Sequence, residues 1–237
     1  MPWDFIVILI FLAVVIPLMG RHRIRRLFAL PRTTKMDRLT VYASTIAFQC
    51  FTAVVVLWRA MTHHITPRDL GLALTNVRLT LGVTGVLTVL IVANQFASIR
   101  RLTTRREEMQ DVLRELALKV FPQDDVERLA YFGLVSVVAL CEELIYRGFL
   151  QYVFQSVAHG AVIAGVLGSA GMFALAHLYQ GRRGLVSTLF AGTILAGVRA
   201  WTGSLVPCIV PHFAADLAAG FLAPRRFREG GVIPDGT

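Results

Sequence analysis

The sequence predicts an all-α fold, a polytopic transmembrane helix bundle of about seven spans, and three observations carry that prediction. The 237 residues are 55% hydrophobic and only 16% charged, with a mean hydropathy of +0.62, far to the apolar side of a soluble domain. Apolar runs near the roughly 20 residues that take a helix across about 30 Å of hydrocarbon recur from Trp3 to Phe221. The basic residues cluster in alternate connections between those runs, as they do in membrane proteins of fixed orientation.

Taken in order, Trp3–Met19 is the first span. Arg21, Arg23, Arg25 and Arg26 follow its apolar core, the reverse of a cleaved signal peptide, so it reads as a retained helix entered from outside. Leu39–Met61 and Leu79–Ile99 are the second and third. Between Arg100 and Arg128, Val112, Leu113, Leu116 and Leu118 recur at helical spacing among acidic and basic residues. That stretch predicts either an amphipathic helix on the cytoplasmic surface or a solvated connector, and Pro122 ends it. Leu129–Leu150, Ala161–Leu178, Leu185–Ala200 and Leu205–Ala223 complete the seven; a short or re-entrant segment around Gln151–His159 would make eight. The organisation is then N-terminal membrane helices plus connector over 1–126, a membrane core over 127–224, and a disordered Gly- and Pro-containing tail over 225–237.

A net charge of +9 would suggest nucleic acid in a soluble protein. Here nineteen of the 24 Lys and Arg residues fall in connections on one side if the N-terminus is outside. The charge therefore reads as orientation, N-out and C-in, with the lipid bilayer as partner and no nucleic acid. The three cysteines, Cys50, Cys141 and Cys208, all sit in apolar runs without a Cys-x-x-Cys pair, which argues against a disulfide framework or thiolate metal site. Ala161, Gly165, Ser169, Phe173 and His177 form one row at four-residue steps, and Gly192, Ala196 and Ala200 another. Small residues in such rows predict close helix approach.

Ionisable groups in hydrocarbon cost a few kcal/mol each, so those that persist face cavities and partners. Glu142, Glu143 and Arg147 lie in the fourth apolar run. On a helix Glu143 and Arg147 share a face, while Glu142 points about 100° away. Glu143 is thus the natural partner of Arg147, and Glu142 is free to face another helix as a general base. A structural ion pair locking two helices is the plainer alternative. Phe173-x-x-x-His177 ends the small-residue row. His212-x-x-x-Asp216 puts an imidazole and a carboxylate one turn apart, suited to an orienting hydrogen bond or to two ligands of one metal. Pro207 and Pro211 predict a bent or opened helix before them. Each of these signals is weak alone, and their weight lies in occurring together in three different spans.

Glu-Glu-x-x-x-Arg, Phe-x-x-x-His and His-x-x-x-Asp, in that order and in separate apolar helices, resemble the CPBP intramembrane protease family, which includes the type II CAAX prenyl endopeptidases and the bacterial Abi or bacteriocin-processing proteins. The resemblance spans Leu129 to Phe221. It implies an active site within the membrane, in which Glu142 and His177 activate a water for attack on a peptide carbonyl. His212 and Asp216 would assist at the oxyanion, and Glu143, Arg147 and Phe173 would support the site. Its implied substrate is a membrane-bound protein or peptide, of CAAX or leader-peptide type, in a plasma membrane of bacterial kind. Members most like the CAAX enzymes have Asn where this chain has Asp216, and an ionised Asp has no hydrogen to donate to an oxyanion. Asp216 is therefore expected to orient His212 or to bind a cation.

Glu142, His177 and His212 could hold a divalent metal such as zinc, but the His-Glu-x-x-His pair of soluble zincins is missing. A metal-free Glu/His mechanism is equally compatible. Other functional classes remain: a non-catalytic immunity or regulatory membrane protein, a transporter relaying protons through its buried carboxylates, and a cysteine peptidase using Cys141. The spans carry one contradiction. Measured from the inner boundary at 1.5 Å per residue, Glu142 lies about 20 Å deep and His177 within about 6 Å, so either the fourth helix starts later or tilts, or the fifth continues past Gln180.

Overall fold

The computed structural model describes residues 1–104 and 119–229, with the side chains of 99, 101–104 and 223–229 outside the description. All the regular structure among them is helical. Seven helices follow in order: α1 (Trp3–Ala29), α2 (Lys35–Thr62), α3 (Val77–Thr104), α4 (Asp125–Val157), α5 (Val162–Ala176), α6 (Gly181–Thr202) and α7 (Val206–Glu229). Five of them, α1 to α4 and α6, are long and apolar enough to cross a membrane; α5 and α7 are shorter apolar helices. The chain is a polytopic helical membrane bundle. The expected amphipathic helix lies mostly outside the described residues. So does the end of the expected tail, whose first residues continue α7 to Glu229.

Lipid supplies the solvent. Phe51, Val89, Ile163 and Phe190 are each about two-thirds exposed or more, a pattern that water would penalise and hydrocarbon does not. Inside, Phe5 and Leu12 of α1, Val56 of α2 and Phe149 and Leu150 of α4 share one buried cluster with Phe173 of α5. The helices meet as neighbours in a set pattern: α2 packs on α4, α4 on α5, α5 on α6, and α7 on both α3 and α4.

Local chemistry starts and bends these helices. Thr34 accepts from the Asp37 backbone N–H while the Asp37 carboxylate accepts from the Thr34 N–H, a reciprocal cap that opens α2. Asp124 caps α4 through the Glu127 N–H, and Lys35 and that cap hold the Asp124 carboxyl below its ordinary range. Beside it, Arg38 grips Glu127 with two bonds of 2.8 and 3.0 Å, both groups buried. This fork ties α2 to α4 near the start of both. Helix α1 widens into a π turn over Phe11–Val15, just ahead of Pro17, which has no N–H for the Ala13 carbonyl.

Two expectations about boundaries are corrected. The stretch around Gln151–His159 is no separate segment, since α4 runs on to Val157 before turning into α5. Pro207 falls in the first turn of α7, where its missing N–H leaves no helix carbonyl unpaired, and the helix is not opened at Pro211, although that residue has no N–H for the Pro207 carbonyl.

The extension of α4 also removes the depth contradiction. Glu142 lies fifteen residues before Val157, and His177 fifteen after Val162. Both are about 22 Å from the same hairpin turn at 1.5 Å per residue. The fourth helix does not start later, since α4 begins at Asp125, and the fifth does not continue past Gln180, since α5 ends at Ala176 before a short 3-10 turn at Leu178–Gln180. At 33 residues, α4 exceeds what a perpendicular crossing requires and must tilt or protrude.

The small-residue rows do close helix interfaces. A Cβ on Gly165 would stand 2.8 Å from the Gln151 carbonyl of α4, whereas one on Gly171 would meet nothing within 4 Å. Gly165→Val is expected to cost about 1–3 kcal/mol by overpacking, read as a lower apparent Tm in detergent, while Gly171→Ala leaves Tm unchanged or raises it.

Candidate active site

The polar residues singled out in the sequence come from α4, α5 and α7 and converge in the membrane. Immediately after Glu143, α4 widens into a π turn over Leu144–Leu150, the kind of helical irregularity that recurs at functional sites. Glu143 and Arg147 are fully buried there. Their ion pair, Arg147 Nη1 to Glu143 Oε1 at 3.0 Å, forms as the four-residue spacing predicts.

The same Oε1 takes a second partner. His212 Nδ1 of α7 lies 2.7 Å from it, so this nitrogen carries the proton and donates to the carboxylate. Glu143 thus neutralises Arg147 and fixes the imidazole together. Asp216, expected to orient His212 or to bind a cation, has Oδ2 3.5 Å from the opposite nitrogen, Nε2. The 2.7 Å bond to Nδ1 comes from Glu143, so the two carboxylates approach the ring from opposite edges.

Glu142 faces elsewhere, as the 100° offset requires. Its Oε1 accepts from Gln49 Nε2 of α2 at 2.8 Å. Its Oε2 is 3.9 Å from His212 Nε2 and has no hydrogen-bond partner among the described residues. The two glutamates therefore flank one imidazole from its two sides. His177 is close enough to Glu142 for a direct electrostatic interaction, and its Nδ1 is 2.8 Å from the Phe173 carbonyl. That contact places the proton on Nδ1 and leaves Nε2 to accept.

Phe173 is the wall between these groups. Its ring centroid lies 4.5 Å from that of His177, 6.1 Å from that of His212 and 5.2 Å from that of Tyr146. The Arg147 guanidinium stacks on it with Cζ 4.0 Å from the centroid. Two guanidinium nitrogens, Nε and Nη2, have no hydrogen-bond partner among the described residues, and the aromatic face offers them a cation–π contact instead. Gly192 of α6 closes this corner, since a Cβ there would sit 3.3 Å from Arg147 Nη2 and 3.4 Å from the Phe173 ring.

A divalent metal needs several side-chain donors around one point. Among the described residues, no three His, Cys, Asp or Glu side chains are so arranged. His212 Nδ1 is engaged by Glu143 and His177 Nδ1 by a carbonyl, which leaves Nε2 of each ring as its open donor. Among the described residues Glu142, His177 and His212 are not gathered as one ligand set. Cys141 is buried on the same helix as Glu142, and no contact joins it to either histidine among the described hydrogen bonds.

Residues 126–218 match the family model described as type II CAAX prenyl endopeptidase Rce1-like. The match bears out the CPBP and CAAX protease resemblance and runs through all three motifs, from Glu142 to Asp216. It points to a membrane-embedded hydrolase of the peptidase class; α1 to α3 lie outside the matched segment. Comparison with curated proteins and with solved structures found no match.

Gln49 is the residue that reasoning from motifs passed over. Its signal was a lone amide in an apolar run, which costs free energy unless it is paired. A buried pair whose partner is removed typically loses about 3–5 kcal/mol. Arg147→Met is expected to lower stability by that order, read by denaturation in mixed micelles. The double variant with Glu143→Leu should lose less than the two single losses combined.

Proposed function

We propose that the chain is an intramembrane endopeptidase that hydrolyses a peptide bond in a membrane-tethered protein or peptide, with Glu142 as general base. The observation that supports it most is the approach of Glu142 Oε2 and Asp216 Oδ2 to His212 Nε2, at 3.9 and 3.5 Å. A water between Glu142 and that nitrogen is within reach of an unengaged carboxylate oxygen.

In this reading Glu142, assisted by His177, takes a proton from the water as its oxygen bonds to the substrate carbonyl carbon. The carbonyl oxygen becomes an oxyanion in a low-dielectric site, where a donor is worth most. His212 supplies that donor from Nε2 when protonated, with Glu143 against its Nδ1 and Asp216 beside its Nε2. Glu142 then passes the proton to the leaving nitrogen, and the C–N bond breaks. Asp216 acts through the imidazole, not on the oxyanion, which removes the difficulty raised by Asp in place of Asn. The catalytic unit is 127–224, oriented N-out and C-in, and CAAX-type and leader-type substrates both suit it.

The test is cleavage of two tethered probes by the purified protein in liposomes, one a farnesylated CAAX peptide and the other an unprenylated peptide with a membrane anchor. Glu142→Gln is expected to reduce turnover at least about 1,000-fold, a general-base effect of the usual 10²–10⁴ range. His177→Ala and His212→Ala should each cost about 100-fold or more, and Cys141→Ser nothing. Full activity in Glu142→Gln would sink the reading.

A further inference from the structure

Gln49 sits at the centre of α2, fourteen residues from Lys35 and thirteen from Thr62. Phe48, Cys50 and Phe51 surround it in sequence, and Phe51 faces outward. Nothing in this stretch hydrates an amide, so Gln49 must find its partner within the protein. It finds Glu142, with Nε2 2.8 Å from Oε1. The Arg38–Glu127 fork fixes how α2 lies along α4, and both Gln49 and Glu142 follow further along their helices in the same direction.

We propose that Gln49 is a positioning residue for Glu142: its amide N–H holds Oε1 in place and favours the ionised carboxylate, so that Oε2 alone meets the water. The proposal rests on the reading of Glu142 as base, and it assigns part of the site to a helix outside the matched segment. One oxygen of Glu142 is engaged and the other has no partner among the described residues, a division of labour that a freely rotating carboxylate would lack. A hydrogen bond to the charged form of an acid stabilises that form. The other titratable groups acting on Glu142 are His177 at the end of α5, Tyr179 in the turn that follows, His212 and Asp216 of α7, and Cys141, Glu143 and Tyr146 of its own helix. None of them holds Oε1.

The full-length protein in liposomes tests this in two ways. Infrared difference spectra across a pH titration identify the Glu142 carboxyl band as the one missing from Glu142→Gln. In Gln49→Met, which keeps the side chain's bulk without a donor, the midpoint of that band should move to higher pH by a unit or more. Gln49→Asn, whose shorter arm weakens the bond, should fall between, and Phe51→Leu should match the unmodified protein. With the farnesylated probe, Gln49→Met should lower kcat about 10- to 100-fold, the loss expected for a hydrogen bond to a charged group, with KM little changed. An unmoved midpoint in both Gln49 variants overturns the proposal. Because the spectra need no turnover, an active Glu142→Gln protein would overturn the peptidase reading without touching this result.

Discussion

A single carboxylate oxygen holds the centre of the bundle together. Oε1 of Glu143 receives Arg147 from its own helix and His212 from α7, in a position with no access to water. An isolated carboxylate or guanidinium there would be prohibitively costly, and each is tolerable only because of the other. The third partner adds specificity, since α7 can dock on α4 in one register alone if the imidazole is to reach that oxygen. The rest follows from this lock. With Nδ1 engaged, the imidazole must present Nε2 to Glu142 and Asp216, and with Arg147 neutralised, Phe173 can pack between the two histidines.

The helices around the lock are arranged to protect it. Small residues on α5 and α6 bring their backbones close to α4, and Gly192 admits the edge of the guanidinium where a larger residue would push it away. The Arg38–Glu127 fork performs a similar service near the start of α2 and α4. Outside these contacts the bundle turns bulky apolar side chains outward, so its polar chemistry is confined to the interior.

Much of this was legible from residue order. Seven apolar runs became seven helices, and the Glu143–Arg147 pair followed from helical spacing. The bond between Glu143 and His212 did not, because it joins residues 69 apart in sequence and no local periodicity registers it. Asp216, four residues from His212, was the nearer candidate for that role, and local spacing favoured it over the tertiary contact. The boundaries failed for a different reason. Hydropathy ended the fourth span at Leu150 because Gln151 and Gln155 follow, but Gln151 is buried and donates to the Ala196 carbonyl of α6. A paired amide is invisible to a scale that scores residues singly. Gln49 was missed likewise: in sequence it is one polar residue among apolar ones, and only its pairing gives it meaning.

The equal arms of the α4–α5 hairpin make it a gauge. Adding one residue to either arm between its polar group and the turn would move Glu142 or His177 by about 1.5 Å along the axis and 100° around it, enough to separate them. The turn at residues 158–161 is under no such restraint, since changing its length leaves both distances intact. Variation in length should therefore accumulate at the turn and be excluded from the arms, so that the hairpin keeps its measure even where its residues change.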